Sequence, residues 1–425
     1  MRCSWKSMVL LALASIAIQY TAIRTFSANP LNLLCSVGLA PTDHAVNCSL
    51  GQLTPVGRKA LGGCDEAPSP TSASPSFSLP AYNSSRRTHI LILATTRSGS
   101  SFVGQLFNQH PEVFYLFEPL YHVQLALLPR LDQSWNPAER RVMMGAARDL
   151  LRSLFHCHLD GLEGYIQPRP ARPGTPPTSR SLCLPPVCEA SLDAKEQSLV
   201  LADEGECVRR CGPLSLSVAA EACGAKRHAA IKTVRIPQIS DLRALLEDPK
   251  LNLKVVQLVR DPRGILASRI ETFRDTYRLW RHWRATGRRP HNLDLGQINT
   301  VCEDFLHSVS TSLAKPPWLK GRYMLLRYED LARFPLQKAR ELYSFLGLVL
   351  HPGVEDWITN NTRGSNSAAN AENWRVKLSF DMVAYTQTAC QPLLGLLGYK
   401  AVFHPRELRN LSHSLVEDRT FPPVV

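Results

Sequence analysis

Three familiar signatures are missing from this chain of 425 residues. There is no loop of two glycines five apart followed by Lys-Ser/Thr, the turn with which nucleotide triphosphatases cradle the β and γ phosphates of ATP. Without it, and without a magnesium carboxylate to go with it, a P-loop kinase is disfavoured. There is no Asp-x-Asp triplet, the metal-binding carboxylate pair that a glycosyltransferase typically needs. The 12 cysteines form no paired Cys-x-x-Cys knuckles, which argues against a zinc site, and no metal is expected. No internal repeat is evident.

What the chain does have is a strand that empties into an anion-binding turn. Residues 89–101 read His-Ile-Leu-Ile-Leu-Ala-Thr-Thr-Arg-Ser-Gly-Ser-Ser, and an amphipathic stretch with Phe102, Val103, Leu106 and Phe107 follows directly. Free backbone N–H groups and the positive end of a helix dipole converge at such a point. Gly99 stands alone, and Arg97 precedes it where a triphosphatase would have a lysine after it, so the anion is not the β/γ-phosphate of ATP. A second apolar run, residues 251–259, leads into Arg260-Asp-Pro-Arg-Gly-Ile-Leu-Ala-Ser268. Asp261 suits a helix cap and Pro262 the first helical position. Arg260 and Ser268 are spaced to meet one phosphate, and two phosphate sites imply a bisphosphorylated nucleotide.

These two motifs, about 160 residues apart, resemble those of the sulfotransferases that use 3′-phosphoadenylyl sulfate. The resemblance is closest to the Golgi carbohydrate 6-O-sulfotransferases of the galactose/N-acetylglucosamine group. It implies that Thr96, Arg97, Ser98, Gly99, Ser100, Ser101 and Phe102 grip the 5′-phosphosulfate. The 3′-phosphate would fall to Arg260, Asp261, Pro262, Arg263, Gly264, Ile265, Leu266, Ala267 and Ser268. It also implies sulfuryl transfer from that donor to the 6-hydroxyl of galactose in keratan sulfate or a related poly-N-acetyllactosamine. N-acetylglucosamine or chondroitin 6-O-transfer, a Golgi glycosyltransferase and a non-catalytic glycan binder are the alternatives. Family members carry a longer basic, glycine-containing segment before the tryptophan that matches Trp374, so the loop between Arg363 and Trp374 is expected to be short.

In this chemistry charge develops on the bridging oxygen of the leaving phosphate, where a fixed cation stabilises the transition state; Arg97 is the candidate. The attacking hydroxyl needs a base. Residues 113–117 form an apolar strand ending in Glu118, on the same edge as the cradle. The competing reading of Glu118 is a structural carboxylate paired with an arginine such as Arg97 or Arg263. His122 is a fallback base. Lys232 and Arg235 either meet the glycan or nucleotide or are a solvated strand end, and Trp374 is read as packing.

Arg2 and Lys6 precede an apolar stretch from Met8 to about Ile23, closed by Arg24. A cleaved signal peptide and an uncleaved signal anchor compete here; with no small-x-small cleavage site, the anchor is favoured. The expected plan is a cytoplasmic tail at 1–7, a transmembrane anchor at 8–24, a Pro/Ser-rich luminal stem at 25–88 and a catalytic domain at 89–425. That is a single-pass type II protein of the Golgi membrane with its catalytic domain in the lumen. The cysteines fit disulfides in that compartment, though their pairing is not deducible. Sequons at Asn47, Asn83, Asn360 and Asn410 would be open to glycosylation. A formal net charge of +13 is either an ordinary basic surface or attraction for an anionic donor and glycan; nucleic acid is not an expected partner of a luminal chain.

Strands are expected at 89–94, 113–117, 228–233, 253–259 and 323–328. Helices are expected near 101–110, 138–155, 238–247, 263–284, 297–314, 335–346 and 379–397. Their alternation predicts an α/β fold, a mainly parallel sheet with helices on both faces in a P-loop-like sulfotransferase arrangement, with ligands at the carboxyl ends of the strands.

Overall fold

Short, mainly apolar runs form the sheet, and every one of them is parallel to its neighbours. The computed structural model describes residues 87–121, 137–162, 179–188, 211, 215–363 and 367–425. The strands are β1 (Thr88–Leu93), β2 (Val113–Phe117), β3 (His228–Thr233), β4 (Leu253–Val259) and β5 (Tyr323–Arg327). They lie in the order β2-β3-β1-β4-β5. β1 is central, with Leu91 in register with Ile231 on one side and Val255 on the other. These boundaries agree with the sequence expectation to within one residue.

Alternate side chains leave the sheet on opposite faces, and both faces are covered, as parallel strands require. Among the described residues, the helices of nine residues or more are α1 (Ser100–Asn108), α2 (Pro137–Phe155), α3 (Leu216–Ala225), α4 (Pro262–Thr272), α5 (Arg278–Thr286), α6 (Gly296–Leu313), α7 (Pro335–Leu346), α8 (Pro352–Thr362) and α9 (Phe380–Leu397). Ile90, Ile92 and Val256 pack with Leu106 and Phe107 of α1, Leu342 of α7 and Ile358 of α8. Leu91, Leu93 and Val255 pack in a larger layer with Leu151 of α2, Ile265 of α4, Val309 of α6 and Leu393 of α9.

The sequence reading differs from the fold at four places. The single helix expected over 263–284 is two, α4 and α5, because Phe273 leaves the helical conformation. α4 is buried almost all round, whereas α5 offers only Trp280 and Trp283 to the core; the break turns that pair inward. The expected helix at 238–247 is a 3-10 turn, Ile239–Leu242, continued by one α-turn, Arg243–Leu246. α3 and α8 were not expected, although each begins at a cap: Ser215 accepts from the Val218 N–H, and His351 from the Gly353 N–H ahead of Pro352.

Disulfides tie Cys157 to Cys223, Cys188 to Cys211 and Cys302 to Cys390, and Cys183 is also disulfide-bonded. The first joins the residues after α2 to α3, and the last joins α6 to α9. The expected tail at 1–7, the anchor at 8–24 and all but the last two residues of the stem lie outside the described residues, as does His122. Among the described residues no helix is long and apolar enough to cross a membrane.

Candidate functional site

At the carboxyl end of β1 the chain makes a tight turn into α1. The Ser98 hydroxyl and N–H both donate to the Thr95 carbonyl, at 2.8 and 3.3 Å, and Ser98 is fully buried. Gly99 caps α1 with a φ of 93°, a conformation that strains any residue with a Cβ. A Cβ there would also land on the Tyr328 ring. Glycine is therefore required twice over, and the close approach of Tyr328 roofs the turn. The first N–H groups of α1 have no carbonyl within the helix to bond.

The second motif is fastened onto this turn. Arg260, at the end of β4, donates to the Arg97 carbonyl at 2.8 Å, and its guanidinium lies 4.4 Å from the Tyr328 ring centre. Ser268 on α4 accepts from the Arg97 Nε at 3.0 Å. One residue on, Arg269 donates to the Thr95 hydroxyl at 3.0 Å and to the Thr96 carbonyl at 3.3 Å. The two motifs are thus one structure. Nothing in the sequence marked Arg269, a buried arginine in the last turn of a helix, because its partners in the turn are more than 170 residues away.

The cleft beside them has a volume of about 450 Å³. Thr96, Arg97, Gly99, Ser100, Ser101, Phe102, Arg260 and Glu118 all line it. Lys232 and Arg235 line it too, with Phe117 and Val234, as do Phe273 and Tyr328, two aromatics that the sequence reading did not single out. Other expected contacts do not line it, among them Ser98, whose hydroxyl is turned onto the Thr95 carbonyl, and Ser268, which is bonded to Arg97. Asp261 caps α4 through the Arg263 N–H at 2.9 Å and pairs with the Arg263 guanidinium at 2.7 Å. Arg263 is fully buried, bonded to Gln387 and the Lys400 carbonyl and stacked 4.1 Å from Trp374. Pro262, Gly264, Ile265, Leu266 and Ala267 are buried in α4's own packing, and Trp374 is core, as read.

Glu118 follows β2 with a φ of 52° and is buried. Its partner is neither Arg97 nor Arg263. Lys232, the β3 residue in register with Phe117, donates to Glu118 Oε1 at 2.6 Å. The other oxygen accepts from the Val234 N–H at 3.3 Å and lies 3.7 Å from Arg235 Nε. Lys232 is no solvated strand end: it is buried, with its ammonium 4.4 Å from the Phe117 ring centre. Burial lowers its pKa, and Glu118 opposes that shift.

Behind α4 lies a buried carboxyl that the sequence did not flag. Glu329 accepts from the Asp261 N–H at 3.0 Å and from the Tyr399 hydroxyl at 2.7 Å. Burial pushes its pKa up to about 7, and the charge of Asp261 adds to the shift. Among the described residues no cluster of His, Cys, Asp and Glu could hold a metal ion.

A family model described as the sulfotransferase domain matches residues 87–398, a span that contains both turns and Glu118. Among curated proteins, the carbohydrate sulfotransferase 1 of Danio rerio is 60% identical to this chain over 441 residues, covering 100% of each. That of Homo sapiens is 58% identical over 440 residues, again covering 100% of each. The carbohydrate sulfotransferase 3 of Mus musculus is 43% identical over 78% of this chain and 72% of its own.

Proposed function

The chain belongs to the sulfotransferase family, within its carbohydrate sulfotransferases, and from that premise we propose that it sulfates the 6-hydroxyl of galactose in keratan-type glycans. The observation that carries the reading is the fastening of the two anion-binding turns to each other at Arg97, beside a carboxylate in the same cleft. The donor set fits a doubly phosphorylated cosubstrate. A helix start, the guanidiniums of Arg97, Arg235 and Arg260 and the hydroxyls of Ser100 and Ser101 line the cleft, Ser268 is bonded to Arg97, and the lining carboxylate, Glu118, is already paired with a lysine.

3′-Phosphoadenylyl sulfate supplies the sulfuryl group and departs as adenosine 3′,5′-bisphosphate. Arg97 and the N–H groups at the start of α1 hold the 5′ end; Arg260 and Ser268 hold the 3′-phosphate. Arg97 offsets the negative charge gathering on the leaving phosphate oxygen. Glu118 takes the proton of the sugar hydroxyl, and Lys232 fixes the direction in which that carboxylate points. Asp261 and Arg263 set the start of α4, and so act on the donor through Arg260 and Ser268.

The remaining parts of the reading concern location. The 8–24 segment anchors the chain in the Golgi membrane as a single-pass type II protein, with the catalytic domain in the lumen. The disulfides support an oxidising compartment. Asn360 and Asn410 are exposed, as glycosylation there would require.

The test is transfer of labelled sulfate from the donor by the full chain, offered desulfated keratan, chondroitin and N-acetylglucosamine-terminated acceptors. Label on galactose C6 supports the reading. Label on N-acetylglucosamine alone, or on chondroitin alone, replaces the acceptor assignment.

A further inference from the structure

A second cavity, of about 360 Å³, adjoins the donor cleft on the other face of the sheet. Leu93 of β1, Met143 of α2 and Phe305 of α6 wall it, and they belong to the layer that packs opposite α1. Thr95 lines it, one residue before Thr96 of the donor cleft, and Val234 and Arg235 line both spaces. Those two shared residues are also the ones that meet the carboxylate assigned as base. Glu118 Oε2 accepts from the Val234 N–H at 3.3 Å and lies 3.7 Å from Arg235 Nε.

The polar groups of this cavity are few and fixed. Gln257 of β4 lines it at 1% exposure, and its Oε1 accepts from the Tyr323 hydroxyl at 2.7 Å. Its amide nitrogen donates to no group among the described residues, and a buried donor left without an acceptor is costly. Asp304 of α6 accepts from Gln238 through Oδ1 at 2.9 Å, and its Oδ2 accepts from nothing among the described residues. Arg140 and Arg235 are the lining cations. Asp241 holds the Arg140 guanidinium by two bonds, at 2.7 and 2.9 Å, and Arg235 lies beside Glu118. With each cation next to a carboxylate, the cavity has no surplus positive charge for an anion, unlike the donor cleft with Arg97 and Arg260. An amide donor facing a carboxylate acceptor, with apolar walls between, suits the hydroxyls and C–H faces of an uncharged sugar ring, and the volume is that of a small-ligand site.

We propose that this cavity seats the ring of the galactose being sulfated, with Gln257 and Asp304 as the residues that select it. The inference rests on the function proposed above. A ring bonded to the Gln257 amide and the Asp304 carboxylate directs its C6 arm past Val234 and Arg235, to the carboxylate that those residues meet. Selection then follows from hydrogen bonding. A sugar whose ring hydroxyls miss Gln257 and Asp304 leaves a buried donor and a buried carboxylate oxygen unpaired, a penalty that discriminates more strongly than a change of apolar contact.

The experiment uses the full chain and two variants, Asp304→Asn and Gln257→Met. Asp304→Asn keeps the shape and can still accept from Gln238; Gln257→Met keeps the length but removes the amide. Saturation-transfer NMR with methyl β-D-galactopyranoside, without donor, reads the cavity directly. The wild-type chain should transfer saturation to the galactoside, adenosine 3′,5′-bisphosphate should not displace it, and both variants should lose the signal. In kinetics with desulfated keratan, each variant should raise the acceptor KM by roughly tenfold, the worth of one hydrogen bond to a charged or buried group. Donor KM should not change, and the Asp304→Asn melting temperature should match that of the wild type.

Unchanged saturation and acceptor KM in Asp304→Asn overturn the proposal. Displacement of the galactoside by the bisphosphate, with a raised donor KM in the variants, makes the cavity part of the nucleotide site and overturns it too. A rise in both KM values together with a lowered melting temperature reduces Asp304 to a structural role. Galactoside binding that depends on Asp304 and Gln257, with no transfer to any carbohydrate, sinks the function and keeps the sugar site. Equal saturation of methyl β-D-glucopyranoside leaves the two residues without a selective role and overturns their assignment.

Discussion

The Arg97 Nε donates to the Ser268 Oγ over 3.0 Å, joining the turn after β1 to the middle of α4. The cation assigned to the departing 5′-phosphate and the hydroxyl assigned to the 3′-phosphate touch each other, yet their substitutions should separate. Ser268→Ala removes a ground-state contact and should raise the donor KM by about tenfold, the worth of one hydrogen bond to a charged group. Arg97→Ala removes a contact that strengthens in the transition state and should cost about 10² to 10³ in kcat. Steady-state kinetics at varied donor distinguishes the two, and an unchanged donor KM for Ser268→Ala would remove the 3′-phosphate assignment.

Gly99→Ala should damage the same site through the backbone. The left-handed conformation costs a residue with a Cβ about 1 to 2 kcal/mol, and the methyl group meets the Tyr328 ring. Donor affinity should fall sharply, as measured by calorimetry with adenosine 3′,5′-bisphosphate. Adding Tyr328→Ala relieves the clash but not the dihedral strain, so the double variant should regain only part of the loss. Full recovery would mean that the φ of 93° is not needed by the cradle.

Both turns were legible because each couples a short, mainly apolar strand to breakers and hydroxyls, a local pattern that needs no knowledge of the rest of the chain. Glu118 was legible for the same reason, as the single carboxylate closing an apolar run. Its true partner was not. Lys232 reaches it through the β2–β3 register, which depends on a crossover of more than 100 residues. The same limit hid Arg269 and Tyr328, whose contacts with the turn are set by how α4 and β5 pack. The α4–α5 break was hidden differently: residues 273–277 contain neither glycine nor proline, and the chain turns there because Trp280 and Trp283 need the core.

Glu329 should give stability a pH dependence of unusual sign. Its folded pKa of about 7 lies above the ordinary 4.5, so the folded protein keeps a proton that the unfolded chain releases. The contribution is complete below pH 4.5 and is lost as pH rises through 7. Glu329→Gln can still accept from the Asp261 N–H and donate to Tyr399 but cannot ionise. Across pH 4.5 to 7, the wild-type Tm should fall relative to that of the variant, and above this range the two curves should run parallel. Parallel curves throughout would show that Glu329 ionises alike in both states.

The Glu118–Lys232 pair poses the sharpest test, because a buried ion pair is the ordinary use of such a carboxylate, whereas a general base needs it free to take a proton. Glu118→Gln keeps the shape but not the basicity, and loss of a general base costs about 10² to 10⁴ in rate. It also strands Lys232 in a buried site, and an uncompensated buried charge destabilises. Both readings therefore predict a damaged single variant. The double variant Glu118→Gln/Lys232→Met separates them, since it removes the stranded cation and keeps the length of the side chain. If Glu118 is the base, Tm should return towards wild type and donor affinity should hold, while kcat stays at the level of the single variant. Recovery of kcat together with Tm would make Glu118 a structural counter-ion, and His122→Ala would then be the next variant to measure.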